Sequence, residues 1–143
     1  MCRRFRPVIV LAGGIVGIVL TLAAGGCWEP IAPNREVLRQ YPQIHLATTG
    51  LQRQIYLREP IVNRVGDGQL QVVVPVRNLE NGELNLEYQY RFLNNQGVQV
   101  EETSGWNTLR LPDYGSMAQI QFTSLTAQAA NFDLDIRTLQ VEH

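Results

Sequence analysis

The segment QLQVVVPVRNLENGELNLEYQYRFL, residues 69–93, contains two runs in which apolar and polar residues alternate. The large apolar residues fall at even positions: Leu70, Val72, Val74 and Val76 in the first run, then Leu84, Leu86, Tyr88, Tyr90 and Phe92 in the second. Successive side chains of a β-strand point to opposite faces, so each run predicts a strand with one buried face and one solvated face. Asn81-Gly82 lies between the runs and is typical of a tight turn, so the pattern predicts a hairpin.

Short alternating runs separated by turn residues continue on both sides of this segment. They begin near Gln43, Gln54, Val98, Trp106, Ala118 and Phe132. Pro60 interrupts one of these runs and indicates an edge strand or a bulge, because proline has no amide hydrogen to donate. Many short strands with closely spaced turns are typical of two antiparallel sheets packed together. We therefore predict an all-β, immunoglobulin-like β-sandwich of 7–8 strands over residues 43–143.

The N-terminus has the pattern of an export signal. Three arginines within residues 3–6 precede an uncharged run, residues 8–24, which ends in small residues and a cysteine. The sequence Ala24-Gly25-Gly26-Cys27 resembles the lipobox of bacterial lipoproteins. In that family the cysteine thiol receives a diacylglyceryl group, the preceding peptide is removed and the new amine is acylated. The resemblance implies that residues 1–26 are a signal peptide and that Cys27 is the lipidation site.

An uncleaved signal anchor is the alternative interpretation of this segment, because its apolar run is close to the shortest that spans a bilayer. The cysteine count favours lipidation. Cys2 would leave with the signal, and Cys27 would then have no second cysteine with which to form a disulfide. We expect residues 27–42, which contain two prolines, to form a lipid-anchored tether in which Asn34 caps a short helical turn.

Composition argues against several classes of function. The chain has no lysine, which excludes lysine-based covalent chemistry, and only two histidines, His45 and His143, which are a poor metal pair. Without residues 1–26 it carries nine arginines against thirteen acidic residues, so it is a poor candidate for binding nucleic acid. Asp133 and Asp135 share a strand face, which we interpret as an exposed charged surface rather than a calcium site. We expect no catalytic residue, no metal site and no cofactor.

Strand and turn residues between positions 43 and 138 carry a second resemblance. They are Val74-Pro75-Val76-Arg77-Asn78, Tyr90-Arg91-Phe92, Gly97, Trp106, Gly115, Phe132 and Ile136-Arg137. At these positions the chain is similar to the YcfL-type family of small bacterial envelope lipoproteins of unknown function. The family has an immunoglobulin-like sandwich as its soluble part. The resemblance implies a fold and an envelope location, and it implies no biochemical activity.

These observations predict non-catalytic binding or scaffolding at the cell envelope. The protein would face the periplasm, held at the outer membrane by its lipid, and would bind an envelope protein or the cell wall. The irregular polar loops are the expected contact sites: Thr103–Gly105, Asn94 and Asn95 within Asn94–Gly97, and Asp113 and Tyr114 within Pro112–Ser116. Two alternatives stay open: an envelope hydrolase or metal-dependent enzyme, and a single-span inner-membrane accessory subunit that keeps residues 8–24.

Overall fold

The computed structural model describes residues 34–139, and this part of the chain is a β-sandwich with two short helices. The elements are α1 (Arg35–Gln40), β1 (Ile44–Leu46), α2 (Leu51–Gln54), β2 (Ile55–Leu57), β3 (Ile61–Val65), β4 (Gln69–Asn78), β5 (Leu84–Leu93), β6 (Asn107–Leu111), β7 (Met117–Thr123) and β8 (Asn131–Thr138). The predicted all-β sandwich of 7–8 strands is confirmed. The predicted signal peptide and Cys27 lie outside the described residues. Among residues 34–139, none of the helices is long and apolar enough to cross a membrane.

The strands form two sheets that pack face to face. In the first sheet the order is β1-β8-β5-β6, with β1 parallel to β8 and the other neighbours antiparallel. In the second sheet β4 is central, with β7 along one edge and β2 followed by β3 along the other. At the break between β2 and β3 the amide of Arg58 donates to the Pro75 carbonyl at 3.0 Å. The interruption that Pro60 predicted in an edge strand is therefore confirmed.

An aromatic cluster joins the two sheets between β5, β7 and β8. Phe122 of β7 lies almost flat on Tyr90 of β5, with 4.3 Å between ring centroids. Its ring also lies 5.6 Å from Phe92 and 5.7 Å from Phe132, both on the first sheet. Around the cluster the predicted core face of β4 is buried, as are Leu86 and Phe92 of β5. Burying each large apolar side chain is worth roughly 1.5–3 kcal/mol, so this interior is the main source of stability.

The predicted hairpin between β4 and β5 is wrong, because the two strands belong to different sheets. β2, β3 and β7 occupy both edges of β4, while β6 and β8 occupy both edges of β5, so neither strand has an edge left for the other. Residues 79–83 carry the chain from one sheet to the other. Gly82 has a positive φ of 142°, but it serves this crossing loop and not a tight turn. The even faces of β4 and β5 therefore meet across the core.

Asn78, at the end of β4, holds the crossing loop in place. Its buried side-chain amide donates to the carbonyls of Gly82 at 2.7 Å and Leu111 at 3.3 Å, and its Oδ1 accepts from the Glu80 amide at 2.8 Å. Its main chain also exchanges hydrogen bonds with residues 115–116. Asn78 therefore connects the crossing loop with the end of β6 through its side chain and with the β6–β7 loop through its main chain.

The segment before β1 packs along the edge of the sandwich where β1 and β2 lie. Three of its apolar side chains pack against the core: Val37, Leu38 and Tyr41. The predicted helical turn is present as α1, but the predicted capping role of Asn34 is wrong. Asn34 is buried, its Nδ2 donates to the Gln52 and Ile55 carbonyls, and its Oδ1 accepts from the Leu57 amide at 2.7 Å. Asn34 therefore fastens this segment to α2 and β2.

The strand predicted after the Asn94–Gly97 turn does not form. Residues 98–101 make one isolated bridge to the end of β5. Asn94 closes its own turn, since its Oδ1 accepts from the amides of Gln96 and Val98 at 2.9 Å. Beyond this turn the Val100 amide donates to the Phe92 carbonyl at 3.0 Å, and the Glu101 side chain bonds to the loop after β7.

Replacing Asn78 with alanine is expected to lower the free energy of unfolding by about 3 kcal/mol, because each buried polar group left without a partner costs roughly 1–3 kcal/mol. Asn81→Ala, at an exposed position of the same loop, should change it by about 0.5 kcal/mol or less. Urea denaturation followed by circular dichroism measures both variants. Equal midpoints for the two variants would contradict the role assigned to Asn78.

Candidate functional site

An open cleft of about 470 Å³ lies between β5 and the end of β7. It exists because β6 begins only at Asn107, opposite Tyr88. Beyond Tyr88, the irregular segment 98–106 lies beside β5 in place of a regular strand. The side chains that matter for its chemistry are Tyr90, Glu101, Glu102, Ser104, Leu125 and Thr126. They come from one strand and from the loops that follow β5 and β7.

The floor of the cleft is apolar. Tyr90 lines it and is supported from below by its stacking contact with Phe122. Leu125 lines the cleft and is 79% exposed. Large exposed apolar side chains beside an apolar depression are typical of docking sites. Burial, and secondarily the neighbouring Tyr90, raise the pKa of the Tyr88 phenol, so Tyr88 next to this floor is uncharged at neutral pH.

Glu101 holds the two walls of the cleft together. Its Oε1 accepts hydrogen bonds from the main-chain amides of Leu125 at 2.8 Å and Thr126 at 3.0 Å. Hydrogen bonds to an ionised acceptor are stronger than neutral ones, at roughly 1.5–3 kcal/mol. The Glu101 carboxylate is thus engaged in fixing the loop after β7, while the adjacent Glu102 is exposed at the cleft.

Ser104 completes the edge of β5 beyond the start of β6. Its amide donates to the Tyr90 carbonyl at 2.9 Å, and its hydroxyl accepts from the Tyr90 amide at 2.9 Å. The same hydroxyl donates to the Gly105 carbonyl, and the Ser104 carbonyl accepts from Gln89 Nε2 at 2.7 Å. These bonds use the hydroxyl both as donor and as acceptor, so Ser104 is a structural element of the wall.

The outer face of the first sheet carries a network of ion pairs. Asp133, one of the two aspartates considered as metal ligands, lies 2.7 Å from the Arg91 guanidinium. Glu87 pairs with Arg137 at 2.8 Å, and the Arg137 guanidinium stacks 3.7 Å above the Trp106 ring. Nowhere in residues 34–139 do three or more His, Cys, Asp or Glu side chains come together as metal ligands would.

The structure does not bring the four predicted contact residues together. Asn94 and Asn95 follow the end of β5, whereas Asp113 and Tyr114 follow β6, whose last residue pairs with the first residue of β5. Ten strand residues at about 3.3 Å each separate the two loops by roughly 30 Å. Of the predicted loops, Thr103–Gly105 borders the cleft, through Ser104.

Two important residues of the cleft are absent from the sequence prediction. The alternating pattern assigned Tyr90 to the core, and it is indeed half-buried, but its position beyond the start of β6 leaves it lining the cleft. Leu125 lies in a loop of small and polar residues. An isolated large apolar residue in such a loop is the one signal that points to this surface.

Changing Glu101 to alanine is expected to loosen the loop after β7. Loss of charge-assisted bonds worth about 1.5–3 kcal/mol should speed amide hydrogen exchange at Leu125 and Thr126 roughly tenfold or more. Glu102→Ala removes the neighbouring exposed carboxylate and should leave these amides unchanged. Hydrogen exchange read by mass spectrometry distinguishes the variants, and unchanged exchange in Glu101→Ala would contradict the clamp.

Comparisons with known proteins bear on the fold and the family. No curated protein matches the chain. The crystal structure of Campylobacter jejuni cj0090 is similar, with a TM-score of 0.57 at 16% identity, over 68% of this chain and 98% of that one. A DUF1425 family member from Shewanella sp. pv-4 has a TM-score of 0.53 at 18% identity, over 62% of this chain and 81% of that one. At these identities the likeness shows the fold alone.

The family follows from the sequence match. The family model described as "Protein of unknown function (DUF1425)" matches residues 43–138, which is more than half of the chain and includes every strand of the sandwich and the cleft. The chain therefore belongs to the DUF1425 family.

Proposed function

We propose that this chain is a lipid-anchored envelope protein of the YcfL type whose sandwich binds a partner without catalysing a reaction. The observation that carries the binding role is the cleft between β5 and β7. Its floor is the Tyr90 ring supported by Phe122, and the exposed Leu125 stands at its side. The Glu101 clamp keeps both walls in place before any ligand arrives. A site organised in advance loses less conformational entropy on binding.

The chemistry of the cleft favours a segment of another protein as its ligand. The volume lies within the range of about 300–1,000 Å³ that is usual for ligand sites. The cleft is open along the edge of the sandwich, which suits an inserted side chain of a larger partner. An apolar side chain would cover Tyr90 and Leu125, and a basic neighbour would face the exposed Glu102. An envelope protein with such a surface segment is the proposed partner.

The anchor is argued from the sequence. Residues 24–27 match a lipobox, and a diacylglyceryl group plus an amide-linked chain on Cys27 would hold the protein firmly, at about 0.8 kcal/mol per buried CH₂. The proposed location is the periplasmic face of the outer membrane. The competing interpretations are an envelope hydrolase or metal-dependent enzyme and an inner-membrane subunit that keeps residues 8–24.

Intact-mass measurement of membrane-extracted protein tests the anchor. The expected species begins at Cys27 and carries diacylglyceryl and acyl groups. Cys27→Ser should abolish the lipid and the cleavage, because the thiol is the acceptor, whereas Cys2→Ser should change neither. An unmodified chain that begins at Met1 would contradict the anchor and favour the single-span interpretation.

Crosslinking in cells tests the cleft. A photoreactive residue in place of Glu102 should capture an envelope protein. Leu125→Ser should weaken the interaction about 10- to 100-fold, as expected when a contact worth roughly 1.5–3 kcal/mol is lost. Met117→Ser is the matched control, because Met117 is an exposed apolar residue at the other end of β7.

Two results would count against the binding role. One is equal capture with Leu125→Ser and with the unchanged protein. The other is turnover of an envelope hydrolase or transferase substrate by the purified protein that disappears in Asp133→Asn or Asp135→Asn, which would favour the enzyme interpretation.

A further inference from the structure

The chain between the proposed lipid and the folded sandwich is short. Only six residues separate Cys27 from Asn34, and a chain reaches at most about 3.6 Å per residue, so Asn34 stays within roughly 25 Å of the acylated cysteine. Asn34 is fully buried and bonded to α2 and β2. The inference therefore rests on the proposed anchor, which keeps the start of α1 near the membrane together with α2 and β2, to which Asn34 is bonded.

Charge is distributed unevenly with respect to this point. Residues 34–54 contain three arginines and one glutamate, a net charge of +2. Residues 55–139 contain six arginines and ten acidic residues, a net charge of −4. The part of the sandwich nearest the anchor is thus its basic pole, and the remainder would be repelled by an anionic surface.

The three arginines of the basic pole lie around adjoining depressions, and together with Gln52 they are named here the arginine surface. Arg35 and Arg39 are one helical turn apart on α1 and line a cleft of about 500 Å³ with Gln52. Gln52 also lines the neighbouring cleft of about 340 Å³, together with Arg53. Guanidinium groups with planar forks of donors suit phosphate oxygens.

Three acidic residues lie close to the arginine surface: Glu36, Glu80 and Glu59, which accepts a hydrogen bond from the Tyr41 hydroxyl just beyond α1 at 2.9 Å. Glu36 is paired with Arg39 at 2.7 Å, and the hydrogen bond and charge of Arg39 lower the pKa of Glu36. Glu80 follows Leu79, whose amide donates to the Gln54 carbonyl at the end of α2 at 2.8 Å. Arg35 and Arg53 have no ion pair with any described residue, so their charges are available to an external anion.

We propose that Arg35, Arg39 and Arg53 dock the sandwich on the anionic lipid headgroups of the membrane that holds Cys27. The arginine surface lies on the β1–β2 edge of the sandwich, while the binding cleft lies on the opposite, β6–β7 edge. Docking therefore turns the cleft away from the bilayer and presents Tyr90 and Leu125 to the envelope space. Each arginine near an anionic surface contributes about a fivefold preference, and Glu36 offsets the charge of Arg39, so the net preference is on the order of 20-fold.

The test uses the acylated full-length product in phosphatidylcholine vesicles, with and without phosphatidylglycerol. An environment-sensitive dye on a cysteine in place of Gln40, exposed at the end of α1, reports contact with headgroup-labelled quencher lipid. A dye in place of Gln96, in the turn beyond β5, is the reference position. Quenching at position 40 should rise about fivefold or more when phosphatidylglycerol is present. This increase should vanish in about 1 M salt, where the Debye length is about 3 Å. Position 96 should not respond.

Charge variants make the test specific. Arg35→Gln, Arg39→Gln and Arg53→Gln together should abolish the phosphatidylglycerol effect. Arg77→Gln, Arg91→Gln and Arg110→Gln together remove the same charge from exposed positions on β4, β5 and β6, away from the arginine surface, and should keep it. Glu36→Gln, which leaves every arginine in place, should strengthen it.

Each contrary outcome identifies what has failed. Equal quenching with and without phosphatidylglycerol, in a chain whose mass shows lipid on Cys27, overturns the docking and leaves the anchor intact. If both triple variants lose the phosphatidylglycerol effect equally, the assignment of docking to the arginine surface is wrong. A chain without lipid on Cys27 overturns both proposals, because the reach to the membrane is counted from that residue.

Discussion

The crossing of the chain from one sheet to the other at Asn78 is the constraint on which the rest of the sandwich depends. The two longest strands, β4 and β5, carry inward faces that must both be buried, and the short crossing loop turns these faces toward each other. The part of the loop that lies against the core is stable only if its main-chain polar groups find partners. The Asn78 side chain bonds to two of these groups, the Glu80 amide and the Gly82 carbonyl, and also to the Leu111 carbonyl at the end of β6. Burial of the core and satisfaction of the loop are therefore achieved together.

Two other buried polar side chains act in the same way at other connections. Asn34 joins the segment before β1 to α2 and β2. Ser124, just after β7, accepts from the Leu70 amide through Oγ and donates to the Thr126 carbonyl. Among the described residues, Asn34, Asn78 and Ser124 are the buried polar side chains. The side chain of each one forms its hydrogen bonds with main-chain groups. Short polar side chains thus shape the loops, while the apolar interior supplies the driving force.

The two proposed surfaces lie on opposite edges of the sandwich and have different roles. The β1–β2 edge carries arginines close to the proposed anchor, and the β6–β7 edge carries the cleft with its apolar floor. Electrostatic attraction to headgroups is non-directional and strong in total, which suits orientation of a tethered domain. A preorganised apolar cleft gives selective contact with one partner, which suits recognition. A protein built in this way would hold its partner at a set distance from the membrane.

The amino-acid sequence alone determined the class of fold, the buried faces and the break at Pro60, because strand periodicity and proline chemistry are local properties. It did not determine the pairing of β4 and β5, since alternation states which face is buried and not which edge finds a partner. Either a hairpin or a crossing satisfies the same pattern, and competition among all eight strands for edges decides between them. The cleft could not be predicted from the sequence for a related reason. Tyr90, Glu101 and Leu125 acquire their roles only when the late start of β6 leaves a gap beside β5, and that gap exists only in the packed tertiary structure.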